Sequence, residues 1–285
     1  FDLADWEFKN CLPYFISGEN YKTLNNSWRG KNGRLEVKQA DYPDPLFDSF
    51  LEAGKQSGQG YSEDLNGAKP EGLARLDTTI LNGRRCSAAT AHLKPALERR
   101  NLTLITLAQT NKILINKKNA EGVVFTHATG TFTAYAQQEV LLCCGAINSP
   151  TLLMKSGIGP EKHLQECNIT TQLNVPGVGK NLQDHAKIRL QFASKKYLPF
   201  HAINKPINKI RSGLNWMLTG RGLAGSNIWE AGGFIRSYDH LEYPNLQYHF
   251  GPLGFSIKNG KIKVEQAFSL NVDQMRPKST GSIKL

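Results

Sequence analysis

The stretch EVLLCCGAINSPTLLMKSGIG, residues 139 to 159, restricts the possible folds more than any other. An uncharged apolar run from Val140 reaches Gly145, after which Ser149 and Pro150 have the chemistry of a helix cap and a first-turn residue. The run reads as a strand buried on both faces, and such strands sit in sheets with helices packed against them. Gly157 and Gly159 mark where the helix stops, and Pro160 opens another.

Strand and helix patterns alternate on both sides of this joint. DWEFKNCLPYFISGENY predicts a short amphipathic helix that Pro13 interrupts or starts, and a second helix runs from about Pro45 to near Gly54 or Gly58. Ser87 caps a third, expected to reach Arg99, and β-rich runs follow it. After Asp184 the pattern changes to longer, antiparallel-looking strands around one helix, INKIRSGLNWML. The fold class is therefore α/β, of mixed α+β character, and 285 residues leave room for two domains.

One strand-like segment carries an anomaly. In SNIWEAGGFIRS, residues 226 to 237, period two puts Ile228, Glu230 and Phe234 on one face and Trp229, Ala231 and Ile235 on the other. A carboxylate thus stands among apolar side chains, with no lysine or arginine until Arg236. An unpartnered buried carboxylate costs several kcal/mol, roughly. Either Glu230 lies at a wet edge, or its counter-ion is not part of this chain.

Composition removes several function classes. The net charge of +11 comes from dispersed lysines and arginines without an interleaved aromatic stacking set, so a solvated basic surface is expected and nucleic acid is not. A membrane-facing patch is the other use of such a charge. The five cysteines have neither disulfide-scaffold nor zinc spacing, and Cys143 and Cys144 read as small packed hydrophobes in a reducing compartment. No metal is expected. No apolar run approaches the roughly 20 residues of a spanning helix, and the start lacks a signal-peptide pattern. A cytoplasmic protein, or one held at the periphery of an inner membrane, is expected. The single G-x-G-x-x-G, GRGLAG at Gly220 to Gly225, follows a helix and precedes a strand, the reverse of a dinucleotide loop, and reads as a flexible connection.

GAINSPTLLMKSGIGP closely resembles the second signature of the glucose–methanol–choline (GMC) family of FAD oxidoreductases. VPGVGKNLQDH follows it as in that family, and LPYF, DLNG, EG and GRRCSAATAHL resemble earlier landmarks in order. The resemblance spans essentially the whole chain. SNIWEAGGFIRS followed by YPNLQYHFGP is most similar to the family's choline-acting members. The family's N-terminal phosphate loop and C-terminal histidine find no counterpart, so the chain reads as an interior stretch of a longer protein. No catalytic residue is assigned, and His185 and His249 are not substitutes.

The resemblance implies a partial three-layer FAD-binding domain and a partial substrate domain built on an antiparallel sheet. Residues 1–83 are expected as a lid and substrate-side segment, 84–187 as part of the FAD domain and 188–285 as part of the substrate domain. It implies FAD as cofactor, with Thr110, Gly145 and Ser149 beside it, while Asn181 and Asp184 cap a turn. It also implies oxidation of choline to betaine aldehyde, and onward to glycine betaine, by hydride transfer to flavin N5. Choline's quaternary ammonium has no N–H, so recognition needs a carboxylate and aromatic faces. Glu230, with Trp229, Tyr248 and Phe250 as walls, is the expected site, provided the strand twists near Gly232 and Gly233. Another alcohol or a sugar, with Glu230 structural, is the alternative, and a non-catalytic basic paralogue that binds membrane or nucleic acid is a third. The electron acceptor, oxygen or a membrane quinone chain, stays open.

Overall fold

The computed structural model describes residues 3–128, 130–196 and 199–285, and the side chains of 199, 202 and 204 are left aside. Phe1 and Asp2 of the opening stretch lie outside the described residues.

From the N-terminus come α1 (Phe8–Gly18), β1 (Glu19–Tyr21), β2 (Leu35–Gln39), α2 (Pro45–Gln56), β3 (Gly72–Arg75) and β4 (Asp77–Thr78). A small hairpin of β5 (Ile80–Leu81) and β6 (Arg84–Arg85) precedes a π-helical turn, Ala89–Leu93, that continues into α3 (Lys94–Ala96). A three-stranded antiparallel meander follows, β7 (Ala108–Asn116), β8 (Asn119–His127) and β9 (Gly130–Tyr135). Next are α4 (Gly145–Lys155), β10 (Ile158–Gly159), α5 (Glu161–Glu166) and β11 (Leu173–Asn174). The last third holds β12 (Ala186–Ala193), α6 (Pro206–Thr219), β13 (Ala231–Ile235), β14 (Leu246–Gly251), β15 (Gly254–Lys258), β16 (Lys261–Glu265) and β17 (Ala267–Gln274).

The chain forms two compact units. One contains residues 1–102 and 185–276, the other residues 103–184 and 277–285. The first and third expected segments therefore share a unit with residues 84–102, while 277–285 goes with 103–184.

In the first unit β12, β17, β14 and β13 form an antiparallel sheet in that order. Phe47, Phe200, Ala231, Phe250 and Leu253 make its buried core, with α2 laid against the sheet by Phe47 and Phe50. Asp44 caps α2 by accepting a hydrogen bond from the Leu46 N–H at 3.0 Å, and Pro45 sits where its missing N–H costs nothing. The glycine pair of β13 has a steric cause. A Cβ on Gly232 would lie 2.1 Å from the Tyr248 carbonyl oxygen on β14, and one on Gly233 equally close to the Gly72 carbonyl oxygen. The approach at Gly233 lets β3 run beside β13, joined by the parallel bridge of Glu71 to Phe234.

Helix positions expected from caps hold at Ser87, whose hydroxyl accepts from the Thr90 N–H, and at Pro160, which precedes α5. GRGLAG is a connection: α6 ends on Gly220 at φ +66°, and β13 begins only after a further loop.

Three expectations fail. Pro13 neither starts nor interrupts α1, which runs through it. Residues 140–144 form no strand, Leu141 is 76% exposed, and Cys143 and Cys144 are exposed instead of packed. An apolar run becomes a strand only where a sheet edge accepts it, and no described edge in its unit does. Ser149 and Pro150 do not open α4, which begins at Gly145 with Cys144 at the cap. Pro150 lies beyond the first turn, and its ring withholds the N–H that would reach the Ala146 carbonyl.

Candidate functional site

Glu230 is 2% exposed, so it is not at a wet edge. Nor does it stand in a strand. Ile228 adopts φ +73°, a left-handed conformation rarely taken by a β-branched residue, and β13 starts only at Ala231. The Ser226 hydroxyl supports this turn by accepting from the Ile228 N–H at 2.9 Å. The turn replaces the expected alternation and aims the Glu230 carboxylate at Tyr42 and at the end of β3.

The carboxylate is fully engaged. Oε2 accepts from the Tyr42 N–H at 2.9 Å and from Nη2 of Arg75 at 3.0 Å. Oε1 accepts from the Ser226 hydroxyl at 2.6 Å and the Asn227 N–H at 3.3 Å. Four donors satisfy the roughly four lone-pair sites of a carboxylate. The expected external counter-ion is thus corrected: the counter-ion is Arg75, from within the chain. Its guanidinium also donates to the carbonyls of Ala40 at 3.1 Å and Tyr42 at 2.7 Å, and it lies over the Phe47 ring at 4.3 Å. Burial pulls the Arg75 pKa below its ordinary value, and the Glu230 charge works against that. Burial, then Asp44 and Glu230, raise the Tyr42 phenol.

Glu230 borders a cavity of about 400 Å³. Tyr42, Pro43 and Ile80 give it apolar wall, Lys38, Asp41 and Arg221 give it charge, and GRGLAG contributes Gly220, Gly222 and Gly225. None of the three expected aromatic walls lines it. Phe250 is 4% exposed and stacked on Phe50 at 4.6 Å between ring centroids, a core position. Trp229 lays its ring on Gly251, where an added Cβ would come within 2.6 Å. Tyr248 is half-buried on β14, paired with Gly233 and Val272. The aromatic face at Glu230 belongs instead to Tyr42. Sequence reading passed over Arg75, Tyr42 and Ser226, although Arg75 is itself a lone charge in the apolar run LARL.

A second charge cluster in the same unit is structural. Arg29, 5% exposed, pairs with Glu19 at 2.8 Å, Asp64 at 2.7 Å and Asp77 at 2.9 Å, and stacks on Tyr21. Burial and the neighbouring Asp77 push the Tyr21 phenol up to about 12. This gives the DLNG landmark its physical reason, since Asp64 is the aspartate of that motif.

In the other unit, Thr110 is half-buried on β7, opposite Phe125. A register shift between Thr110 and Lys112 takes Asn111 out of the ladder and leaves backbone groups there free of strand pairing. Gly145 opens α4 at φ +81° with nothing within 4 Å of an added Cβ, and the first N–H groups of the helix have no helical acceptor. Ser149 lies inside the helix, half-buried, and Asn181 makes a left-handed turn at φ +59°. Ala146, Pro150, Asn181 and Leu182 border a cavity of about 390 Å³ at that helix start. Open backbone donors beside a cavity fit a cofactor carrying anionic and hydrogen-bonding groups.

Known proteins give the comparison. The GMC oxidoreductase family model matches residues 1–187. An oxygen-dependent choline dehydrogenase of Burkholderia pseudomallei (strain 1710b) is 42% identical over 286 residues, covering 99% of this chain and 50% of that protein. One from Pectobacterium atrosepticum is 39% identical, with 99% and 51% covered. The chain thus spans about half the length of the curated relatives it matches. Among solved structures, formate oxidase from Aspergillus oryzae RIB40 superposes with a TM-score of 0.85 at 22% identity, covering 99% of this chain and 55% of that one. Pyridoxine 4-oxidase from Mesorbium loti does so at 0.81 and 26%, with 99% and 52% covered.

Proposed function

The chain belongs to the GMC oxidoreductase family, and we propose that the full-length protein uses FAD to oxidise an alcohol to its aldehyde, with choline as the alcohol. The observation that carries choline is the 42% identity, across 99% of this chain, to a protein named for that substrate. FAD, when bound, supplies the acceptor for the hydride leaving the alcohol carbon. Thr110 would meet it through main-chain groups at the β7 bulge, and Gly145 and Ser149 would border it at the start of α4. The aldehyde hydrate is a second alcohol of the same kind, and its oxidation gives glycine betaine.

Within this reading Glu230 is not a free anion waiting for a cation. A lone carboxylate about 4 Å from a quaternary ammonium, at an effective dielectric of about 20, attracts it by about 4 kcal/mol. A guanidinium about 7 Å from the same ammonium gives back about 2 kcal/mol. About 2 kcal/mol of attraction remains, so the shape and apolar wall of the cavity matter beside charge in holding choline. The Arg75–Glu230 pair favours a second reading, in which an uncharged alcohol or a sugar is the substrate. The relatives' name makes oxygen the first acceptor to test, against a membrane quinone as the other route.

The test is direct. Choline added without oxygen to the full-length holoenzyme bleaches the flavin, and betaine aldehyde forms in step. Bound flavin that choline leaves oxidised rules choline out.

A further inference from the structure

We infer that Arg75 sets specificity at the Glu230 cavity: by holding that carboxylate it offsets about half of the attraction that would favour a cationic alcohol, so the advantage of a charged over an uncharged alcohol of the same shape is cut. The inference rests on the proposal that this cavity receives the alcohol.

Arg75 is fixed in place, not a passing surface partner. Its side chain is 15% exposed, two backbone carbonyls hold its N–H groups, and the Phe47 ring lies beneath it. Glu230 is equally fixed, with one donor from Tyr42 and two more from the turn at Ser226 and Asn227. The remaining charges at the cavity do not restore an anionic field. Lys38 pairs with Asp41 at 2.8 Å, and Arg221 has no carboxylate partner among the described residues. Carboxylates and cations around the cavity therefore balance, with one cation to spare. That balance narrows the distinction between a trimethylammonium and the neutral carbon group of the same shape.

The experiment compares kcat/KM for choline and for its carbon isostere, 3,3-dimethylbutan-1-ol, in the full-length holoenzyme. The unaltered protein is expected to prefer choline by about 30-fold. Arg75→Gln frees the Glu230 charge and raises the preference for choline by about tenfold or more, whereas Arg75→Lys keeps the unaltered ratio. The double variant Arg75→Gln with Glu230→Gln carries no unpaired buried charge and is expected to bring the ratio towards one even where Arg75→Gln alone does not fold. A preference for choline of about 1000-fold in the unaltered protein, or an unchanged ratio in Arg75→Gln, overturns the inference. So does a double variant that keeps the unaltered ratio, since Glu230 would then take no part in reading the cation. If the flavin is reduced by both alcohols and only the ratios disagree, the role of Arg75 fails alone. If it is reduced by neither, the substrate proposal fails and takes that role with it.

Discussion

Glu230 and Arg75 come from segments far apart in the chain, and each is a lone charge in an apolar run. The sequence shows the acid clearly, because no cation stands near it between Ile228 and Phe234. It shows the base as clearly in LARL, but pairing them requires β3 beside β13, and that depends on the backbone approach at Gly233. Charge signals were legible here and their partnership was not. Removing one member of a buried pair leaves the other uncompensated, so Glu230→Ala is expected to cost the fold about 3–5 kcal/mol. In urea unfolding, Glu230→Ala with Arg75→Ala should cost clearly less than the sum of the single changes. Additive costs would show that the two groups do not depend on each other.

At the scale of elements, caps translated better than apolar runs, although Ser149 and Pro150 did not open α4. Asp44, Ser87, Pro160 and Gly220 bound helices through local chemistry that one segment contains in full. The run at 140–144 needed a sheet edge from elsewhere, and the strand expected from Ile228 lost its first residues to a left-handed turn. Asp44 also offers a pH test. Burial raises its pKa, against the opposing Leu46 N–H, His201 and Arg75, and its Oδ2 has no hydrogen-bond partner among the described residues. The folded state holds that proton more tightly than the unfolded one. The stability this confers is present below the unfolded pKa and is lost as pH rises through the folded value. Asparagine keeps a capping oxygen without the charge, so Asp44→Asn should raise Tm at about pH 7 and leave it nearly unchanged at about pH 3. A lower Tm at the higher pH would contradict this. Gly233→Ala sets a Cβ 2.1 Å from the Gly72 carbonyl oxygen and should cost about 2 kcal/mol or more by the same unfolding measurement.

For the whole molecule, the family was legible because its signatures are local strings, such as GAINSPTLLMKSGIGP, that survive without their neighbours. The division into units was legible in part: the pattern changes after Asp184, where the first unit resumes at 185–276, but nothing local gives 84–102 to that unit or 277–285 to the other. The expected aromatic walls lie away from the Glu230 cavity for a related reason: packing against Phe50 and Gly251, which no local pattern shows, decides where Phe250 and Trp229 lie. A catalytic GMC protein is yellow, so the purified full-length protein should carry flavin absorbance. A colourless, folded protein would favour the non-catalytic basic paralogue instead. The account turns on a carboxylate whose charge is already matched from within the chain. Its most direct test is the rate of anaerobic flavin reduction by choline set against that by 3,3-dimethylbutan-1-ol at equal low concentration. A choline rate about 30-fold higher is predicted, and one about 1000-fold higher, the full pull of an unmatched carboxylate, would contradict the account.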